Sequence, residues 1–164
     1  MPSAFQIRPA TQADGAFLGD MVVEAANWRR GGARPRHEVL TSDDHRRYIA
    51  GWMRPGDTGF IAVDANGQPM GAAWYRMLPR SDPGHGYVGT GVPELIIGVR
   101  PIWRAHGVGR MLLQRLCDEA RAQGYARLSL SVERDNFAAT LYRSEGFAVT
   151  QSGIGRDTMV KRLR

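Results

Sequence analysis

At 164 residues, 43% of them hydrophobic and 23% charged, the chain can bury one sizeable core and is too apolar for a disordered segment. The net charge of +6 raises the question of nucleic acid, yet the basic residues are spread through every segment, Lys161 is the only lysine, and no zinc-finger or RNA-binding aromatic pattern accompanies them. No run approaches the length of a membrane span, the first fifteen residues contain no apolar run, and the single cysteine, Cys117, excludes an intramolecular disulfide and suits a reducing cytoplasm.

In chain order, Phe5–Arg8 alternates and stops at Pro9, a short first strand. Thr11 is placed to cap a helix with Asp14 in its first turn. Phe17, Leu18, Met21, Val22, Ala25 and Trp28 follow at helical spacing, and Gly31-Gly32 closes the pattern. The basic loop that follows carries Arg34, Arg36 and His37, after which a second short helix is expected from Thr41 or Ser42 to just before Pro55. Phe60–Asp64 and Met70–Leu78 read as a hairpin around Asn66-Gly67. The connection Pro79–Val92 is rich in glycine and proline, and its length suits a lid with His85 and Tyr87 as its notable side chains. The four histidines show no metal-ligand spacing, so no metal is expected.

The stretch from 94 to 124 organises the rest. An apolar strand, Leu95–Val99, is broken by Pro101. A turn with Gly107 and Gly109 then opens a helix with Val108, Met111, Leu112, Leu116 and Ala120 on its apolar face, stopped by Gly124. A glycine turn at a helix N-terminus presents unpaired N–H groups and partial positive charge, with Arg100, Arg104 and Arg110 around it: a seat for a phosphate-bearing ligand. Neither a P-loop nor a dinucleotide fingerprint is present. Leu128, Leu130 and Val132 alternate with serines as a further strand, Asp135-Asn136 starts a last helix over 137–145, and 147–152 with 157–163 form a closing β pair.

The pattern R-x-x-G-x-G at Arg104, Gly107 and Gly109, together with N-x-x-A-x-x-Y-x-x-x-G-F at Asn136, Ala139, Tyr142, Gly146 and Phe147, resembles the acyl-CoA-binding core of the GNAT superfamily of N-acetyltransferases. The resemblance covers the whole element order. It implies an α/β fold with a mixed sheet of about seven strands and about four helices, a single domain over 1–164, and acetyl-CoA as cosubstrate. By the same resemblance the cofactor contacts are Ile97, Val99, Arg104, Ala105, His106, Gly107, Val108, Gly109, Arg110, Asn136 and Tyr142. Two departures matter. Many members have glycine where Ala105 stands, and alanine keeps the turn if its φ is negative. Many also place the tyrosine seven positions after the asparagine; here it stands six after, and one residue turns a helix by ~100°, which favours Tyr142 over Asn136 as a contact.

The resemblance further implies that Tyr142 donates to the departing thiolate and that Glu94 accepts the proton of the attacking amine; the plain alternatives are a tyrosine anchoring the last helix and a solvated strand-end carboxylate. Trp28, Trp74, Arg76 and Tyr87 are the expected acceptor contacts, pointing to an aromatic or anionic small-molecule amine, with protein N-termini as an alternative. The competing class is a non-catalytic acyl-CoA-binding or sensing domain. Nucleic acid and membrane are not expected partners, and the protein is expected to be a monomer or homodimer.

Overall fold

Seven strands form one sheet in the order β1-β2-β3-β4-β5-β7-β6. The computed structural model describes residues 5–29 and 33–164. The strands are β1 (Phe5–Pro9), β2 (Thr58–Asp64), β3 (Pro69–Arg76), β4 (Glu94–Val99), β5 (Arg127–Glu133), β6 (Ala148–Ser152) and β7 (Arg156–Arg162). The helices are α1 (Gly15–Ala26), α2 (Arg36–Thr41), α3 (Val108–Ala122) and α4 (Ala138–Ser144). This is the mixed α/β architecture expected from the sequence. All strand pairs are antiparallel except β4 with β5, which α3 joins as a crossover.

Alternation along the strands divides the core in two. Ile61, Ala72, Trp74 and Ile96 face Leu18, Met21 and Val22 of α1, with Val39 and Tyr48 beside them. Phe60, Ala62, Ala73, Tyr75 and Leu95 face α3, whose Leu112, Leu113 and Leu116 are fully buried and also meet Leu128 and Leu130 of β5. Each such leucine contributes about 1.5–3 kcal/mol by leaving water. The buried face of α3 is wider than the sequence pattern implied. Leu113 and Cys117 belong to it, while Met111, expected inside, is 49% exposed.

Three local expectations are corrected. Helix α1 ends at Ala26 with Asn27 as its C-cap, so Trp28 lies beyond it; the expected stop at Gly31-Gly32 lies outside the described residues. The second helix forms earlier than its sequence signals implied, at Arg36–Thr41. Pro35 is extended and opens it, and the Ser42 hydroxyl donates to the Val39 carbonyl as the chain turns extended again. Only a single 3-10 turn, Arg46–Tyr48, occupies the rest of that stretch. Finally, Ala105 sits at φ 64, in the left-handed region rather than at negative φ; a side chain there costs about 1–2 kcal/mol.

One feature of the sheet positions everything below. Strand β4 pairs with β3 over its whole length, yet it meets β5 only at Glu94 and Ser129. From Leu95 onward the two parallel strands part and leave a wedge between them.

Candidate active site

The wedge opens into a cavity of about 730 Å³. One wall is the free edge of β4. Successive residues of a strand present their backbone groups to opposite edges, and the Arg100 N–H donates back to Met70 on β3. Ile97 and Val99 therefore turn their N–H and C=O groups toward the wedge, and the Val99 carbonyl there accepts from Arg104 Nε at 3.3 Å. At the same end lies the turn into α3. Gly107 takes φ 81, a value that costs a residue with a side chain, and the first-turn amides that follow have no carbonyl behind them. Arg104 is held by Glu24 at 3.1 Å, and Arg110 by Glu145.

Glu94 stands where β4 and β5 separate. It is 3% exposed and lines the cavity. Its Oε2 accepts from the Tyr48 hydroxyl at 2.6 Å and from the Gly86 N–H at 3.1 Å, whereas its Oε1 has no partner among the described residues. The Tyr48 hydroxyl in turn accepts from the His85 N–H at 3.0 Å, so the 77–93 connection clasps the carboxylate through its backbone. Gly84 allows this approach, because a Cβ there would lie 2.2 Å from Oε1. Burial pushes Glu94 up to about 7, against the lowering effect of the two hydrogen bonds and of the Arg47 and Arg156 charges. A carboxylate that ionises near neutrality, with one oxygen free, is suited to receive a proton.

Tyr142 of α4 lies across the cavity, buried, with its ring edge-on to Phe147 at 6.1 Å between centroids. Burial raises its phenol well above the ordinary value, which keeps it a neutral donor, and no hydrogen bond to its hydroxyl is found among the described residues. Trp28, Arg34, Asp44, His45, Tyr48, Glu133 and Arg156 also line the cavity. The Trp28 indole N–H donates to the Glu133 carboxylate, fastening the segment after α1 to the end of β5.

Glu94, Ile97, Val99, Arg104, Ala105, Gly107, Val108, Gly109, Arg110, Asn136, Tyr142 and Trp28 thus line one cavity. His106 does not; it is exposed and stacks edge-on with Trp103 at 5.8 Å. Asn136 spends its side-chain oxygen on the Ala138 N–H at 2.9 Å, leaving only its amide N–H groups to offer. The expected acceptor contacts Trp74 and Arg76 are corrected. They do share a face of β3, but α1 and the Arg46–Tyr48 turn close that face completely. Trp74 is 0% exposed and donates to the Tyr48 carbonyl at 2.9 Å. Arg76, also 0% exposed, pairs with Asp57 at 2.6 Å and donates to the Arg47 and Ala50 carbonyls. Tyr87 is half-buried in the loop and does not line the cavity. Tyr48, Trp103, Glu133 and Arg156 are cavity residues that sequence reasoning missed. Tyr48 carried no local signal, and Arg156 is placed by its register opposite Glu133, a pairing 23 positions apart.

The fold alone is similar to that of solved acetyltransferases. A GCN5-related N-acetyltransferase from Kribbella flavida is 23% identical over 99% of both chains with a TM-score of 0.69. The yncA protein of Salmonella typhimurium, solved with its cofactor acetyl-CoA, is 24% identical over 99% of this chain and 95% of that one, with a TM-score of 0.67. The sequence pattern of the acetyltransferase (GNAT) family matches residues 22–147, and the chain belongs to that family. Among its relatives, the mycothiol acetyltransferase of Cellulomonas flavigena is 32% identical over 157 residues, 91% of this chain and 44% of that protein. That of Thermobifida fusca is 33% identical over 142 residues, 80% of this chain and 43% of that protein. The chain therefore spans less than half the length of these two relatives.

Proposed function

We propose that the protein moves the acetyl group of acetyl-CoA to a primary amine of a small molecule, by direct attack with both reactants bound. The observation that carries this reading is the unpartnered Oε1 of Glu94, buried on a carboxyl that lines the cavity and that burial pushes up to about 7. The residues present fit an acyl-CoA: the exposed backbone of Ile97 and Val99 suits an amide-bearing arm, and the N-terminus of α3 suits its phosphates. Bound acetyl-CoA supplies a thioester-activated acetyl group. An amine with a pKa near 10 must shed a proton before it attacks, and Glu94 is the proton acceptor, directly or through a water. Val99 N–H lies on the open edge as a donor to the thioester carbonyl oxygen. Tyr142 offers its phenolic proton toward the departing sulfur. A small-molecule acceptor is favoured because the relatives are named mycothiol acetyltransferases.

The test is thermal unfolding with acetyl-CoA and with ATP as a phosphate control, followed by thiol release with a panel of amines. Ligand at 100 times Kd adds about 2.7 kcal/mol, a rise of roughly 5–10 °C at this size. Stabilisation by acetyl-CoA alone, then amine-dependent thiol release, is expected. No stabilisation by acetyl-CoA would overturn the reading. Stabilisation without turnover of any amine would make the protein an acyl-CoA-binding domain.

A further inference from the structure

Ion pairing leaves two of the arginines that line the cavity without a carboxylate partner among the described residues. Four acidic side chains line the cavity: Glu24, Asp44, Glu94 and Glu133. Glu24 is taken by Arg104, Asp44 by His85 at 3.1 Å, and Glu133 by the Trp28 indole. Glu94 is held by Tyr48, with Oε1 to spare. On the basic side, Arg104 and Arg110 have carboxylate partners near the turn into α3. Arg34 and Arg156 are in no ion pair among the described residues.

Both are nevertheless fixed. Arg156 is half-buried and donates from Nε to the Ser131 hydroxyl at 3.0 Å, which leaves Nη1 and Nη2 without a protein acceptor among the described residues. Its cross-strand neighbour Glu133 turns to Trp28, and its chain neighbour Asp157 turns to Arg134. Arg34 donates from Nη2 to the Ala26 carbonyl at the end of α1. Arg156 lines the same cavity as Glu94, and its guanidinium is held to Ser131, two residues along β5 from the Ser129 that pairs with Glu94. A guanidinium held at Nε with its two terminal nitrogens free is shaped for a carboxylate.

We propose that Arg156, assisted by Arg34, anchors a carboxylate on the acceptor, so that the acceptor class is an amino acid or a small derivative that keeps a free carboxylate and a primary amine. The amine end then reaches Glu94, directly or through a water, and the carboxylate end meets Arg156. This inference rests on the acetyl-transfer reading above.

The experiment compares each of a set of amino acids with its own carboxamide, by initial rates of thiol release from acetyl-CoA, in the native protein, Arg156→Gln and Arg156→Lys. Acetyl-CoA stabilisation is measured on all three. Hydrogen bonds to a charged group of this kind are worth about 10- to 100-fold in affinity. The native protein should prefer the amino acid over the carboxamide by that factor in kcat/KM, expressed mainly in KM. R156Q should lose the preference and R156K should keep part of it, with acetyl-CoA still raising the unfolding temperature of all three. Equal use of acid and carboxamide by the native protein would overturn the inference, as would a preference that survives in R156Q or turnover of no amino acid by a protein that acetyl-CoA stabilises. Absence of acetyl-CoA stabilisation in the native protein would instead overturn the acetyl-transfer reading, and this inference with it.

Discussion

Replacing Glu94 by glutamine changes one atom's identity in a buried site, and its effect on stability has a sign that depends on pH. The native carboxyl ionises at about 7 when folded and near its ordinary 4.5 when unfolded. Between those values the folded state holds a proton that the unfolded state has released, so native stability falls as pH rises through this window. At ~1.4 kcal/mol per pH unit, the full loss above pH 7 is about 3 kcal/mol. Glutamine cannot ionise, so this contribution is absent in the variant. Its amide oxygen can still accept from Tyr48 and Gly86 in the place of Oε2. His45 and His85, both held below the ordinary histidine value by burial first, titrate nearby, but they do so in both proteins and cancel in the comparison. Urea unfolding at intervals from pH 4.5 to 8.5 is the assay. The stability difference should move toward the variant by about 3 kcal/mol across that range. Curves that stay parallel within about 0.5 kcal/mol would refute the reasoning, since such a difference is no larger than that of an ordinary surface substitution.

Two further changes probe the site and its support. Tyr142→Phe should lower kcat about 100-fold, the lower end of general acid catalysis, while leaving stability in urea unchanged within about 0.5 kcal/mol because the hydroxyl has no hydrogen-bond partner to lose among the described residues; an unchanged kcat would remove Tyr142 from the chemistry. Asp57→Ala strands the Arg76 guanidinium in the core and should cost about 3–5 kcal/mol in urea unfolding. A loss below about 1 kcal/mol would mean the pair behaves like an exposed one.

What the sequence discloses here is what local periodicity can encode. The hydrophobic run 95–99, the glycine turn, and the alternation over 128–132 each record a structure formed by neighbours in the chain, and each is where the pattern put it. Burial decided by distant segments leaves no such trace. The alternation of β3 put Trp74 and Arg76 on one face, but only the packing of α1 and the Arg46–Tyr48 turn makes that face a closed core. Arg76 finds its carboxylate 19 residues away, at Asp57. Tyr48 is invisible for the same reason: its partner Glu94 lies 46 residues on. The conformation of Ala105 failed differently. Alanine is the residue expected to avoid positive φ, and the strain it accepts there lies on the wall of the cavity.

The single rung between β4 and β5 makes the sheet two half-sheets hinged at Glu94. Strands β1 to β4 form one and β5, β7 and β6 the other, with α3 lying beneath both as a common floor. A ligand whose amides bond the bare edge of β4 would act as the missing rungs, adding its own length to the seam. Occupancy would then be read mechanically as well as chemically: the two halves would resist parting, and amide exchange along β4 and β5 would slow together.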